Sequence, residues 1–228
     1  MAAMNDAAPS SLELILAGYA SGTLPPALHA LVGAHLELSA KNRPFVTSLE
    51  ESLGRTVVRE TPCSIRAREA RLDAIFACGD GSNQHRSASP DDPKALVHYL
   101  GKPIDAMDFR TILPGVRECQ LPPTDGFEAV IYKIRAGQKM PRHSHEGSEI
   151  TLVLRGGFSD ETGHFRRGDV AVADEHLDHV PVADDDEECV CFAVLDAPLR
   201  LTGRIGRWLN GPIRLLGKLD VRKSSRTK

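Results

Sequence analysis

The stretch that decides the fold is GQKMPRHSHEGSEITLVLRG, residues 137–156. In a β-strand, His143 and His145 would lie two positions apart, so both imidazoles would point the same way. Gly147 offers a turn, after which the next strand returns and can present Glu149 beside the two rings. The pattern therefore predicts two neighbouring strands that gather two imidazoles and one carboxylate on one face.

A second segment, GDVAVADEHLDH at residues 168–179, offers one more imidazole, that of His179. Three neutral imidazoles and one carboxylate suit zinc, and also iron, manganese, nickel or copper. The carboxylate offsets part of the charge of a dication, which makes a partly buried site less costly. We therefore predict one divalent metal ion, with zinc as the expected metal, held by four ligands: His143, His145, Glu149 and His179.

The rest of the chain divides into a helical part and a strand-rich part. Apolar residues recur at helical spacing over residues 12–19, 25–38, 43–53, 66–76, 93–100 and 204–219. β-rich runs at 129–135, 150–154, 169–173 and 189–195 are separated by Gly, Asp or Pro and indicate a barrel or sandwich. The polar stretch GDGSNQHRSASPDD at 79–92 is typical of a linker. We predict an α+β protein, with an all-α domain at 1–78, a linker at 79–92, and an all-β, jelly-roll-like barrel with a C-terminal helix at 93–228.

The composition excludes several classes of protein. A net charge of -3 over 228 residues argues against direct DNA or RNA binding. No run approaches the length of apolar sequence that spans a membrane, and the first residues lack the features of a secretory signal. Five cysteines without a Cys-x-x-Cys pair fit a reducing compartment. We expect a cytoplasmic protein.

The metal-ligand segments resemble the two signature motifs of the cupin superfamily. The first motif matches at Gly137, His143, His145, Glu149 and Gly156. The second matches at Gly168 and His179, whereas Asp174 and His176 stand where cupins usually have Pro and Gly. This resemblance covers roughly residues 115–200. It implies a cupin barrel in which these four ligands bind the metal.

Residues 19–42, YASGTLPPALHALVGAHLELSAKN, resemble the N-terminal domain of ChrR-type anti-sigma factors, which join a helical sigma-binding domain to a C-terminal cupin. In that family the helical domain carries a zinc site of the form His-x3-Cys-x2-Cys with an additional upstream His. Here His35 is retained, Ser39 and Asn42 occupy the cysteine positions, and Ser10 stands at the upstream position. We therefore expect a metal-free helical domain in which His35 is a helix-face residue.

The ChrR resemblance implies a regulator. Its helices would bind a sigma factor of the ECF (extracytoplasmic-function) type, and its cupin would sense oxidative stress. The same ligand set also occurs in cupin dioxygenases and isomerases, for which Tyr132 or Glu146 would be the candidate acid or base. A third alternative is a cupin kept only for dimerisation.

Cys189 and Cys191 would share one face of a strand, either as a redox pair or as two buried apolar side chains.

Overall fold

The computed structural model describes residues 11–78, 91–197 and 199–202. The helix predicted at 204–219 lies outside the described residues, as does most of the linker predicted at 79–92. Within the described part, helices come first and antiparallel strands follow. The predicted α+β class, with an N-terminal helical region before a cupin-type β-domain, is confirmed.

The helical region contains four helices, and a fifth precedes the strands. Their bounds are α1 Ser11–Ala20, α2 Pro26–Leu38, α3 Arg43–Val58, α4 Arg68–Ala77 and α5 Lys94–Leu100. Proline in the first turn starts both α2 and α3, because the first helical amides need no partner within the helix. α3 continues past its predicted end at Leu53. The interior Gly54 costs only about 1 kcal/mol relative to alanine, which is too little to end the helix.

The strands follow a 3-10 turn at Ile104–Ala106. Their bounds are β1 Arg110–Leu113, β2 Val116–Gln120, β3 Glu128–Ile134, β4 His143–His145, β5 Glu149–Arg155, β6 Gly157–Asp160, β7 Gly163–Arg166, β8 Val170–Ala173, β9 Val182–Ala183, β10 Cys189–Leu195 and β11 Leu199–Leu201. They form a six-stranded sheet in the order β1-β2-β3-β10-β5-β8, a three-stranded sheet β7-β6-β9, and the pair β11-β4.

The described strands do not form one continuous ladder around a barrel. Two isolated bridges join the segment that leads into β4 to the segment that leads into β9, Lys139 to Val182 and His143 to His179. Pro141 and Pro181 lie between these bridges and have no amide hydrogen to donate, so a regular ladder cannot form there. The barrel expected from the sequence is therefore an assembly of three antiparallel sheets.

The central strand β10 is buried on both faces. Cys189 and Cys191 face a core with Val153 and Phe158, between the larger and smaller sheets. Val190 and Phe192 point the other way, into a core that includes side chains of α2. This two-residue alternation places the sheet between the apolar core that contains Val153 and Phe158 on one side and α2 on the other.

Helix α2 covers the outer face of the six-stranded sheet. Its buried side chains join the same apolar cluster as strand residues; from α2 these are Ala27, Leu28, Leu31 and Ala34. The Glu37 carboxylate also accepts hydrogen bonds from the backbone amides of Lys94 and Ala95, at 2.7 and 2.8 Å, and so caps the first turn of α5. Helices α2 and α5 therefore share one core with the sheet. No described helix has the length and apolar character needed to cross a membrane.

Candidate metal centre

Three of the predicted ligands come together through backbone pairing. β4 holds His143 and His145 on the same face, and both side chains are buried. His179 pairs with His143 through reciprocal backbone hydrogen bonds of 3.1 and 3.0 Å, which bring its buried imidazole to the same point. The predicted meeting of three imidazoles far apart in sequence is present in the structure.

The three rings converge through their Nε2 atoms. Nε2 of His179 lies 3.0 Å from Nε2 of His143 and 3.2 Å from Nε2 of His145. Zinc–nitrogen bonds of about 2.0–2.1 Å in a tetrahedron place ligand nitrogens about 3.3 Å apart. The observed spacings lie within a few tenths of an ångström of that value, so the three histidines could hold a metal ion.

Hydrogen bonds at the opposite ring nitrogens set the tautomers of two of these histidines. Nδ1–H of His143 donates to the carbonyl oxygen of Pro141 at 2.7 Å, and Nδ1–H of His179 donates to Asp160 Oδ2 at 2.8 Å. In neutral rings the Nε2 atoms then carry lone pairs, which face one another across 3.0 Å. A cation between them would remove this repulsion.

Burial keeps two of the rings, those of His143 and His145, in the neutral form that binds metals. It lowers the pKa of His143, and burial together with the neighbouring imidazoles lowers the pKa of His145 to about 4. A proton therefore competes weakly for these nitrogens at neutral pH.

Glu149 lies beside this group but is not part of the three-nitrogen cluster. Its Oε1 accepts a hydrogen bond from Thr151 Oγ1 at 2.8 Å, and its Oε2 lies 3.5 Å from Nδ1 of His145. Both Oε2 of Glu149 and Nδ1 of His145 are buried without a hydrogen-bond partner. Burial raises the pKa of Glu149, which is the cost of keeping a charged carboxylate away from water. A buried carboxylate oxygen without a hydrogen-bond partner, close to the ring of His145, is compatible with a cation at this site.

Asp160 is a site residue that sequence reasoning missed. Its side chain is only 2% exposed, and it accepts hydrogen bonds from His179 and from the backbone amide and hydroxyl of Thr162. Burial alone would raise the pKa of Asp160, but the hydrogen bonds from Thr162 and His179 outweigh it and hold the pKa below its usual value. An ionised carboxylate behind a ligand histidine fixes the ring and increases its basicity. No spacing rule links Asp160 to His179, which lies 19 residues away.

The departure of the second motif from the cupin pattern has a local explanation. Asp174 Oδ1 accepts a hydrogen bond from the amide of His176 at 2.9 Å and so forms the turn itself. The His176 side chain is 85% exposed and points away from the three-histidine cluster toward Glu175. The turn differs, but His179 still reaches the site.

A cavity of about 60 Å³ adjoins the histidines. Tyr132 and Cys191 line it, whereas Glu146, the other acid or base candidate, is exposed. Burial raises the pKa of Tyr132 well above its ordinary range. Cys189 and Cys191 share a face, as predicted, with sulfurs 3.4 Å apart, and the contact with Cys189 together with burial raises the pKa of Cys191. Both Tyr132 and Cys191 are therefore protonated at neutral pH.

His35 is not an exposed residue of the helix surface. It is buried in α2; its Nδ1–H donates to the carbonyl oxygen of Gly168 at 2.7 Å, and its Nε2 accepts from the side-chain amide of Asn42 at 3.0 Å. Both ring nitrogens thus have protein partners. The histidine joins α2 and the start of α3 to the turn before β8.

Known proteins match this architecture over most of the chain. The family described as the ChrR cupin-like domain matches residues 100–198. The anti-sigma-E factor ChrR of Cereibacter sphaeroides is 37% identical over 192 residues, which is 82% of this chain and 89% of that protein. The crystal structure of Rhodobacter sphaeroides SigE in complex with the anti-sigma ChrR matches with a TM-score of 0.68 and 34% identity, over 81% of this chain and 96% of that one. The chain belongs to the ChrR family of anti-sigma factors.

Proposed function

We propose that this chain is an anti-sigma factor whose N-terminal helices bind an ECF-type sigma factor and whose cupin acts as a metal-containing sensor of oxidative stress. The matched crystal structure contains ChrR together with SigE, and membership of the same family supports a partner of that class. Binding would keep the sigma factor from RNA polymerase until the cupin receives its signal.

Exposed apolar side chains on α3 and α4 are the observation that best supports this partner. Val58 and Phe76 are 85% and 79% exposed, and α4 buries none of its residues within the described structure. Leu53, Val57 and Ile75 add further exposed apolar area on the same two helices. Helices that leave several large apolar side chains exposed to water gain from binding another protein.

The experiment measures binding of the full chain to an ECF-type sigma factor encoded beside its gene. We expect a complex at micromolar concentrations or below, and V58D together with F76D should weaken it at least tenfold, because truncating or charging a central apolar contact costs about 1–2 kcal/mol or more. I112D, at an exposed apolar residue on β1, is the matched control and should bind normally. Absence of any complex with the wild-type chain would refute the assignment.

For the cupin we propose one zinc ion bound by His143, His145, Glu149 and His179. Three neutral imidazoles and one carboxylate leave a bound dication with a small net charge, which suits this buried position. Zinc would act as a structural ion whose ligand set an oxidant can alter, shifting the equilibrium between sigma-bound and released forms.

Elemental analysis tests the metal directly. We expect about one zinc per chain, and H143A combined with E149A should remove it. Unchanged metal content in that double variant would contradict the ligand set, and two metals per chain would contradict the expectation that the helical domain carries none.

In the sensor assay, organic peroxide should release the sigma factor from the wild-type chain but not from the double variant.

A metal-dependent cupin oxygenase or isomerase is the second candidate, favoured by the cavity beside the histidines. Against it, an acid or base needs a pKa near the working pH, whereas burial moves the pKa of Tyr132 far above neutrality. Oxygen consumption by the iron-loaded chain in the presence of a small-molecule substrate would favour the enzyme.

A further inference from the structure

The cavity beside the histidines has a polar end and an apolar body. His143, His179 and Glu149 are polar residues of its lining, and Oε2 of Glu149 is buried without a hydrogen-bond partner. Apolar side chains form most of the remaining wall, among them Ile134, Met140, Phe158, Ala171 and Leu177. An apolar cavity of this kind is a poor site for water and a good one for a small hydrocarbon group.

Charge selects against anions in this cavity. Glu149 and Asp160 both line it, and no lysine or arginine does so among the residues that the structure describes. The two carboxylates would already offset a bound dication, so an anionic ligand would add uncompensated negative charge in a site shielded from water. A neutral molecule with one oxygen donor avoids this cost.

The volume limits the size of the apolar group. A dry cavity of about 150 Å³ accommodates benzene, so a cavity of about 60 Å³ has room for roughly two to three carbon atoms. We infer that this cavity binds a small uncharged molecule that has one hydroxyl group, directed at the metal, and an apolar body of about two to three carbon atoms. This inference rests on the metal site of the proposed function.

The test uses the full-length chain loaded with cobalt(II), whose visible absorption spectrum reports changes in its ligands. Methanol, ethanol, 1-propanol and 1-hexanol are titrated, with propionate as the anionic comparison. We expect affinity to rise about fourfold per methylene from methanol to 1-propanol, the value for transfer of one methylene from water. It should fall for 1-hexanol, and propionate should bind more weakly than 1-propanol. Three results would overturn the inference. They are an affinity that still rises from 1-propanol to 1-hexanol, tighter binding of propionate than of 1-propanol, and no spectral response to any alcohol.

Two variants of neighbouring residues on β8 distinguish an effect inside the cavity from an effect on the strand as a whole. A171L adds volume inside the cavity and should abolish the response to 1-propanol while leaving cobalt content at one per chain. V170L, on the next residue of β8, faces the opposite core and should respond like the wild type. If A171L does not fold, M140A should instead enlarge the cavity and move the optimum to a longer alcohol. An unchanged optimum in M140A would count against the inference.

Failure of this inference is distinguishable from failure of the proposed function. A chain that binds no cobalt refutes the metal site, whereas a cobalt-loaded chain that ignores alcohols refutes only the ligand. Binding of the sigma factor is measured on the same preparations and depends on neither result.

Discussion

Replacing His35 with alanine should destabilise the chain strongly. The effect does not involve the metal ligands, which lie far from His35 in the sequence. The imidazole makes two hydrogen bonds, to the carbonyl oxygen of Gly168 at 2.7 Å and to the amide of Asn42 at 3.0 Å, and is only 3% exposed. Loss of the buried donor to Gly168 costs about 1–3 kcal/mol, and loss of the second bond about 1 kcal/mol. We therefore expect H35A to lower the free energy of unfolding by about 2–4 kcal/mol.

Thermal and urea unfolding of the full-length chain measure this effect. At about 2–4 °C per kcal/mol for a chain of this size, H35A should lower the Tm by roughly 4–16 °C. H29A is the matched control, because His29 is on the same helix, is exposed and contacts only the ring of Tyr19 among the interactions described. We expect H29A to change stability by less than about 1 kcal/mol.

H35F separates the hydrogen bonds from the loss of volume. Phenylalanine fills the space of the imidazole but donates nothing to Gly168, so it should remain at least about 1 kcal/mol less stable than the wild type. If H35A were as stable as H29A, the buried hydrogen bond of His35 to Gly168 would not stabilise the contact between α2 and the turn before β8, and our interpretation would be wrong.

Three further predictions concern the carboxylate behind His179, the glycine turn that contacts α2, and the ion pair between Lys133 and Asp105. D160N should weaken zinc binding about 10–100-fold in competition with a chromophoric chelator, whereas D184N, which removes a carboxylate from the non-ligand His164, should leave it unchanged. G168A should lower stability by about 1–3 kcal/mol in urea unfolding, because φ at this position is +90° and a Cβ would lie 3.2 Å from that of Leu38. The hydrogen bond from Lys133 lowers the pKa of Asp105. The stability that this bond adds is therefore present above about pH 4 and is lost as pH falls through the folded-state pKa of Asp105. The difference in Tm between the wild type and D105N should narrow from pH 7 toward pH 3.

The histidines of the metal site could be predicted because strand geometry fixes them locally. Residues two apart on a strand share a face, so the pattern at 143–145 was sufficient to align two imidazoles. His179 was predicted from the segment at 168–179, and the cupin resemblance pointed to the same residue. Glu149 was predicted to join them as a ligand; it lies beside His145, and its role as a ligand remains a prediction.

The contacts between distant segments could not be predicted from the sequence. Asp160 reaches His179 only because β6 and the chain before β9 run side by side, and its position in a polar turn looks like that of any turn-forming aspartate. His35 was expected to be a helix-face residue and not a metal ligand, because the cysteines next to it in the resembled family are replaced here by Ser39 and Asn42. Its real partner, the carbonyl of Gly168, is 133 residues away and carries no side chain that a sequence pattern could reveal.

The shared core gives a physical reason to treat α2 and the three-histidine site as one mechanical unit. On β10, Cys191 faces the cavity beside the histidines while the next residue, Phe192, packs in the cluster that contains Leu28 and Leu31 of α2. Protein interiors are packed as densely as crystals of small molecules, so a shift of this strand cannot be absorbed by empty space on its far side. A displacement of β10 caused at the cavity is therefore transmitted to α2 by direct contact, without any need for the linker to carry it.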